Sequence, residues 1–261
     1  MRVVSLACSN TEIVCALGRA DWLVGVDDHS DHPTDVVSRL PRVGPDLGID
    51  IERVRALRPD LVLASLTVPG HERIVEALER AKLPYLAPEP VSVADVYRDI
   101  QDIAGRLDVE ARGRELVAAM RRELDATPEP ARPVRVLVEW WPKPVIVPGR
   151  DSWVTQLLSA AGGENPFGDR TVKSTPIDDR EAVAADPDAI VISWCGVRPE
   201  KYRPDVVLRR PAWQGLRAVR EGRVHCIPEA YLGRPGPRLV DGVRALRALV
   251  HESSRASASS I

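Results

Sequence analysis

Residues 49–65 read IDIERVRALRPDLVLAS, and residues 177–193 read IDDREAVAADPDAIVIS. The two stretches align without a gap at an offset of 128 residues (177 minus 49). Each one predicts a short helix, a Pro-Asp turn and a buried strand, which is a recurring part of parallel α/β structure. The repetition predicts two similar α/β lobes in one chain.

The alternation of short apolar segments with helical segments extends over both halves of the chain. In the first half, apolar runs predict strands at residues 2–7, 23–26, 61–65 and 84–87. The pattern restarts after Pro133, with strands predicted at residues 134–139, 190–193 and 224–227. Short strands that alternate with helices indicate mostly parallel sheets.

Between the two halves the apolar residues recur at helical spacing and no strand is predicted. Residues 109–124 predict one helix, which would be roughly 25 Å long at a rise of about 1.5 Å per residue. The predicted fold class is α/β: two similar lobes with mostly parallel sheets, a long backbone helix that joins them, and a ligand cleft between the lobes. We predict an N-terminal lobe at residues 1–105, a connecting helix at 106–130, a C-terminal lobe at 131–252 and a disordered, small and polar tail at 253–261.

Residues 5–18, SLACSNTEIVCALG, form the first predicted strand-to-helix corner. Ser9 followed by Glu12 fits a capping box, so the helix is predicted to begin there and to stop at Gly18. The corner lacks the glycines that a phosphate-binding loop uses. We expect it to cap the helix and to line the floor of the cleft, and the role of Cys8 stays open.

The composition argues against several classes of protein. A formal net charge of −2 gives no electrostatic case for nucleic-acid binding. No apolar run approaches the ~18 residues of a membrane span. The four cysteines lie far apart without paired spacing, so we expect small buried side chains rather than a structural zinc site: they are Cys8, Cys15, Cys195 and Cys226.

The first residues leave the compartment open. Leu6-Ala7-Cys8 is similar to a lipoprotein cleavage site, but too few residues precede it for a signal peptide. The protein would be cytoplasmic if Met1 is its native start. It would be periplasmic or at the cell surface if a leader was removed and replaced by Met1.

Aromatic residues cluster in the loops that would face the predicted cleft. Ligands bind α/β sheets outside the carboxyl ends of the strands. Aromatic residues are only 4% of the chain, yet four of them follow predicted strands at such ends: Trp140, Trp141, Trp194 and Tyr231. This placement favours a flat or apolar ligand, and the alternative is that some of these rings fill the contact between the lobes.

Several motifs, in order along nearly the whole chain, resemble the class III periplasmic binding proteins that serve ABC importers. They are RVVSLACSNTEIVCALG, VGVDDHSDHP, LPRVG, IERVRALRPDLVLAS, AGGENPF and GPRLVDGVRAL, together with the long central helix. Members bind cobalamin, haem or ferric siderophores, and the cobalamin-binding branch is the most similar. The resemblance implies two lobes on a rigid helix, no catalysis and no cofactor, and a monomer that hands its ligand to a permease.

The resemblance also implies roles for individual residues. An acidic residue of each lobe docks onto the permease, and Glu52 and Glu181 begin the corresponding helices here. His29 stands where the cobalamin-binding branch has a tyrosine. Asp46, and Ser65 or Leu66, stand where it has tryptophans, for which Trp140, Trp141 and Trp194 would compensate. Arg234 matches a pocket arginine, and Glu229 lies one position from the usual acidic partner.

The ligand predicted from this pattern is a corrinoid, and alternatives stay open. Haem or a ferric siderophore would suit the same fold, and a further alternative is that His29 is an axial ligand to haem iron or to corrinoid cobalt. The run DDHSDH at residues 27–32 could bind a metal, but no second-lobe partner is visible. A cytosolic corrinoid- or tetrapyrrole-binding module without a permease, and an enzyme that uses Cys8 with His29 or His32, are further alternatives.

Overall fold

The computed structural model describes residues 1–125 and 133–258. The chain divides into two compact units. The first, here called the N unit, comprises Met1–Pro90 and Ala94–Met120, and the second, the C unit, comprises Val91–Val93 and the chain from Arg121 onward. The division therefore falls within the central helices rather than at residues 105 and 130.

Four parallel strands form the sheet of the N unit, in the order β2-β1-β3-β4. They are β1 (Val3–Ser5), β2 (Leu23–Val26), β3 (Leu61–Leu63) and β4 (Tyr85–Leu86). The α-helices that alternate with these strands are α1 (Cys8–Ala16), α2 (Thr34–Val37), α3 (Ile51–Ala56) and α4 (His71–Arg80). Continuous apolar strands such as β1 and β3 are typical of a parallel sheet that is covered on both faces.

Two longer helices follow, α5 (Val93–Arg106) and α6 (Glu110–Leu124). They pack closely, since a Cβ atom on Gly113 of α6 would lie 2.6 Å from the Cβ atom of Ala104 in α5. The helix predicted at residues 109–124 is thus present almost to the residue. The part of the predicted connecting helix at 126–130 lies outside the described residues.

The C unit contains a second four-stranded parallel sheet, in the order β8-β5-β10-β11. Its strands are β5 (Val134–Glu139), β8 (Gly163–Glu164), β10 (Ala189–Ile192) and β11 (Val224–Cys226). A small antiparallel sheet, which the sequence patterns do not predict, is formed by β6 (Trp141–Pro142), β7 (Val145–Pro148) and β9 (Ser174–Ile177). Its strands have too few residues for an alternating pattern and contain three prolines.

Six helices complete the described part of the C unit. They are α7 (Trp153–Ala160), α8 (Asp179–Ala185), α9 (Pro204–Leu208), α10 (Arg217–Arg220), α11 (Glu229–Leu232) and α12 (Leu239–Ala258). None of the helices within residues 1–125 and 133–258 combines the length and hydropathy that a membrane span needs.

The repeat in the sequence is a repeat in the structure. Counted within each unit, both parallel sheets have the strand order 2-1-3-4. Asp50 and Asp178, 128 residues apart, both cap a helix by accepting the backbone N–H three residues later. Arg58 and Asp186, at the same offset, both adopt a positive φ before the Pro-Asp turn. The prediction of two similar α/β lobes is confirmed.

The predicted capping box of the first helix was wrong. α1 begins at Cys8, with Ala7 at its N-cap and no side-chain cap, so Ser9 and Glu12 do not form a capping box. The polar side chains of this corner bind neighbouring strands instead: the Thr11 hydroxyl bonds to Ser5 Oγ at 2.8 Å, and Asn10 Nδ2 donates to the carbonyl of Ala64 at 2.6 Å.

The predicted disordered tail is helical through Ala258. At the start of this stretch Ser253 is buried, and the Ser254 hydroxyl donates to the carbonyl of Val250 at 2.9 Å. Small polar residues therefore extend the helix rather than end it. Residues 259–261 lie outside the described part of the chain.

Candidate functional site

The buried carboxylate of Asp27 fixes the loop that follows β2. Its Oδ1 accepts from the Ser30 hydroxyl at 2.5 Å, and its Oδ2 accepts from the backbone N–H of His29 at 2.9 Å and from Cys8 Sγ at 3.8 Å. Arg42 donates to the carbonyls of Asp27 and Ser30 at 2.7 Å. The backbone of the loop is thus held in place, and the His29 residue at its tip is exposed.

Asp46 lies in a tight turn that begins at the carboxyl end of β2. Gly44 has φ of 111°, and a Cβ atom there would lie 2.6 Å from the Gly48 carbonyl oxygen, so only glycine fits. The Asp46 carboxylate lies 3.4 Å from Nε2 of His71, the first residue of α4. This hydrogen bond lowers the pKa of Asp46. His71 is a site residue that the sequence analysis missed.

Ser65 and Leu66 follow β3 at the same edge of the sheet. The Ser65 hydroxyl is paired with Thr67 Oγ1 at 2.9 Å, and the backbone N–H of Leu66 donates to the carbonyl of Pro88 at 2.9 Å. Ser65 is buried and Leu66 half-buried, whereas Val68, two residues on, is 40% exposed. The structure therefore presents an apolar side chain here that sequence reasoning did not single out.

The carboxylate of Glu139 lies at the carboxyl edge of the C-unit sheet, is fully buried, and binds both Arg210 and Trp194. Arg210 binds both of its oxygens, at 2.6 and 2.9 Å, and stacks on the ring of Trp213 at 4.3 Å. The Trp194 indole N–H donates to Glu139 Oε1 at 2.9 Å. Trp194 is buried and meets Tyr202 edge to face, so within this unit it is a core residue, and its predicted ligand contact stays a prediction.

Trp140 and Trp141 stand where β5 turns into the small antiparallel sheet. The backbone N–H of Trp140 donates to the carbonyl of Ile146 at 2.8 Å, and Arg210 donates to the carbonyl of Pro142 at 3.3 Å. Trp140 is half-buried, and Trp141 is 40% exposed. The Trp141 ring is thus a large aromatic surface exposed at this edge of the C unit.

Arg234 and Glu229 form an ion pair at 3.1 Å in the segment between α11 and α12. The carboxylate packs against Gly233, where a Cβ atom would lie 2.8 Å from Glu229 Oε1 and would make the Glu229 side chain shift. Glu229 also donates its backbone N–H to the Tyr202 hydroxyl at 3.0 Å. Tyr231 lies in the same segment and is half-buried, with the Arg238 guanidinium over its ring at 5.6 Å; the predicted contact of these residues with a ligand stays a prediction.

The thiols of the C unit are not activated. Desolvation by the surrounding protein, followed by the nearby Glu229 carboxylate, raises the pKa of Cys195 to about 12, although the residue reaches the surface. Desolvation also raises the pKa of Cys226. Both thiols are therefore protonated at neutral pH and poor nucleophiles. Within residues 1–125 and 133–258, no three His, Cys, Asp or Glu side chains are grouped as a metal site.

Glu52 and Glu181 differ in their surroundings. Glu52 is the second residue of α3, its side chain is 78% exposed, and it meets Arg55 at 3.3 Å. Glu181 is the third residue of α8, closes a capping box with Asp178, and binds Arg170 at 2.7 Å. The cap and Arg170 lower the pKa of Glu181. In the repeat, the residue equivalent to Glu52 is Arg180, so the two acids do not occupy matching positions.

Comparisons with known proteins place the chain among binding proteins. A family model described as periplasmic binding protein matches residues 3–231. An uncharacterized ABC transporter substrate-binding lipoprotein of Bacillus subtilis, YvrC, is 30% identical over 256 residues, covering 94% of this chain and 78% of the relative.

Two further relatives differ in the ligand that their names give. A vitamin B12-binding protein of Vibrio parahaemolyticus is 26% identical over 247 residues, covering 93% of this chain and 86% of its own. The structure of the periplasmic haem-binding protein RhuT from Roseiflexus sp. RS-1 matches with a TM-score of 0.84 and 26% identity, covering 97% of this chain and 98% of that one.

Proposed function

Because this chain belongs to the periplasmic binding protein family, we propose that it captures a corrinoid, a cobalamin-like ring compound, and delivers it to a permease. It is a solute-binding component of an ABC importer, and such proteins bind small molecules and work with a permease. The vitamin B12-binding relatives, which match along most of the chain, support a corrinoid as the solute.

The observation that carries the proposal is the set of side chains at the carboxyl edge of the C-unit sheet. Trp141 offers an exposed indole face, and Arg234 is held in place by its ion pair with Glu229. A guanidinium is suited to the amide oxygens on the rim of a corrinoid ring, and an indole to its flat apolar parts. We also assign contact with the solute to four residues of the N unit: His29, Asp46, Ser65 and Leu66.

The test is calorimetric titration of the purified protein with cyanocobalamin. We expect binding in the micromolar range or tighter, weakened about tenfold or more by Trp141→Ala, because an exposed ring that stacks on a ligand contributes on the order of 1–3 kcal/mol. Trp22→Ala is the matched control, since Trp22 lies just before β2, at the amino edge of its sheet. Absence of cyanocobalamin binding would rule out the corrinoid proposal.

Haem is the second candidate, and His29 favours it. His29 is exposed, and the Asp27 carboxylate holds its backbone N–H in place. An axial ligand to haem iron needs both an accessible side chain and a fixed position. Haem bound in this way would shift its Soret band, and His29→Ala would abolish the shift. His32→Ala is the control, because His32 is a second exposed histidine of the same loop.

The remaining parts of the proposal concern partners, chemistry and place. We assign Glu52 and Glu181 to the docking surface for the permease, and we propose that the protein acts as a monomer without catalysis or a resident cofactor. The lipoprotein relative supports a location outside the cytoplasm. Fractionation of cells that express the native gene, with the protein detected by antibody, would test the location.

A further inference from the structure

His71 joins two loops of the N unit through its imidazole ring. Nε2 lies 3.4 Å from the Asp46 carboxylate, in the turn that follows Gly44. Nδ1 accepts the backbone N–H of Val68 at 3.4 Å, in the loop that follows β3. One neutral tautomer, with its proton on Nε2, satisfies both contacts. The residue is 6% exposed, so the ring is held between the two loops.

These two loops present large apolar side chains to solvent. Leu47, beside Asp46, is 58% exposed, and Val68 is 40% exposed. Leu47 also packs on the start of α4, because its Cδ2 lies 3.3 Å from the point where a Cβ atom on Gly70 would stand. We call Leu47 and Val68 the apolar rim. Burying these two side chains against an apolar surface would be favourable, so the rim is available for contact with an apolar group.

The apolar rim lies at the ligand-binding edge of the N-unit sheet. The backbone N–H of Asp28, just past β2, donates to the carbonyl of Gly44, which begins the first loop. The backbone N–H of Leu66, just past β3, donates to the carbonyl of Pro88. Both loops therefore leave the sheet at the carboxyl ends of its strands, which is where α/β proteins bind their ligands.

We infer that the apolar rim is the N unit's contact with the solute, and that Asp46 and His71 are positioning residues that hold the rim in place. The inference rests on the proposed solute-binding function. It changes the role of Asp46, whose carboxylate is engaged by His71 rather than offered to the ligand. It also defines the solute more closely: the part that meets the N unit carries hydrocarbon groups, such as the methyl and methylene groups on the edge of a large ring.

The rim is tested with Leu47→Ser and Val68→Ser, which remove apolar surface from exposed positions and should leave the fold intact. Val183→Ser is the matched control, a valine exposed to 44% near the end of α8. Cyanocobalamin and haem are the probes, each titrated by calorimetry. We expect each rim variant to bind the probe that wild type binds about tenfold more weakly, and the control to bind it unchanged.

The positioning role is tested without a ligand, by amide hydrogen exchange at residues 45–48 and 66–70. His71→Ala should speed exchange in both segments, and His71→Gln, whose amide can still donate to Asp46, should restore much of the protection. His71→Ala should also weaken binding of the probe while Leu47 and Val68 are still present. Unchanged exchange in His71→Ala would overturn the positioning role.

The outcomes separate this inference from the proposed function. If wild type binds a probe and both rim variants bind it equally well, the apolar rim is not the contact and the inference is wrong. If wild type binds neither probe, the corrinoid and haem proposals both fail, and the inference that the apolar rim contacts the solute fails as well. The exchange experiment still decides in that case whether Asp46 and His71 position the loops.

Discussion

Glu139 and Arg210 form a two-point ion pair at the carboxyl end of β5, with N–O distances of 2.6 and 2.9 Å. The carboxylate is fully buried and also accepts the Trp194 indole N–H. The guanidinium reaches the carbonyl of Pro142, beside Trp141. The pair thus connects the core of the C unit to the segment that carries its exposed aromatic ring.

Removing one member of this pair should destabilise the protein strongly. Arg210→Met would leave Glu139 buried without its cation, and breaking a buried pair in this way costs about 3–5 kcal/mol. The free energy of unfolding, from denaturant titration, measures the loss. Arg209→Met is the control, because Arg209 is 82% exposed and its contact with Asp205 is long, at 3.7 Å. Equal effects of the two substitutions would contradict a structural role for the pair.

Two glycines should respond in opposite ways to alanine. A Cβ atom on Gly242 of α12 would clash with the carbonyl oxygen of Tyr231 in α11, whereas a Cβ atom on Gly105 of α5 would meet no atom of the described residues within 4 Å. Gly242→Ala should cost about 1–3 kcal/mol and shift the segment that carries Tyr231 and Arg234. Gly105→Ala should stabilise by up to about 1 kcal/mol, since alanine is the better helix former.

Thermal unfolding of both glycine variants checks this contrast. Gly242→Ala should also weaken ligand binding, because the moved segment holds the Arg234 guanidinium. A Gly242→Ala protein as stable as wild type would mean that α11 and α12 can separate slightly without cost.

The sequence predicted the repeating parts of the fold well, for a local reason. Asp50 and Asp178 cap their helices, and a Pro-Asp turn follows each, so the signals lie within a few residues of one another. Long-range relationships carry no such signal. Nothing near His71 indicates that it binds Asp46, which lies 25 residues earlier, and nothing near Trp194 indicates that its N–H binds Glu139.

Contact between the candidate site and a solute stays a prediction, but the position of one of its residues follows from the sequence. The rule that loops after parallel strands face the ligand expects Trp141 at the carboxyl edge, and Trp141 lies two residues beyond the end of β5. It could not separate exposed from buried rings, because that depends on the side chains packed around them. For this reason the sequence analysis counted Trp194, which is buried, among the loop aromatics, and it overlooked Val68, which is exposed.

Asp99 should make stability depend on pH. It lies on α5, it is 6% exposed, and desolvation is the main reason that its pKa is raised to about 6. The folded protein therefore binds a proton more tightly than the unfolded chain does. The contribution of Asp99 to the free energy of unfolding should therefore be largest below about pH 4. It should fall by on the order of 2–3 kcal/mol as the pH rises to about 6.

Asp99→Asn should remove this dependence. The variant should be more stable than wild type at pH 7 and no more stable at pH 4, as measured by denaturant unfolding across that range. Asp21→Asn, at an exposed position, is the control and should follow the wild-type profile. A stability profile that is the same in wild type and Asp99→Asn would show that the Asp99 carboxylate is better solvated than its burial implies.

The docking surface should be asymmetric. Glu52 is exposed and makes a surface contact with Arg55, whereas Glu181 is held by its capping box and by Arg170. If an acid is to meet a cation of the permease, Glu52 can turn to it freely, but Glu181 must first give up two hydrogen-bonded partners. We therefore expect Glu52→Gln to weaken binding to the permease more than Glu181→Gln does.

Binding of each variant to its permease in reconstituted membranes would measure this difference. Glu181→Gln should instead lower the free energy of unfolding slightly, because the capping box and the ion pair to Arg170 are weakened. Glu76→Gln is the control, an exposed acid of α4 that meets Arg80 at 3.7 Å. Equal losses of binding in Glu52→Gln and Glu181→Gln, with stability unchanged, would show that Glu181 leaves its cap when the permease binds.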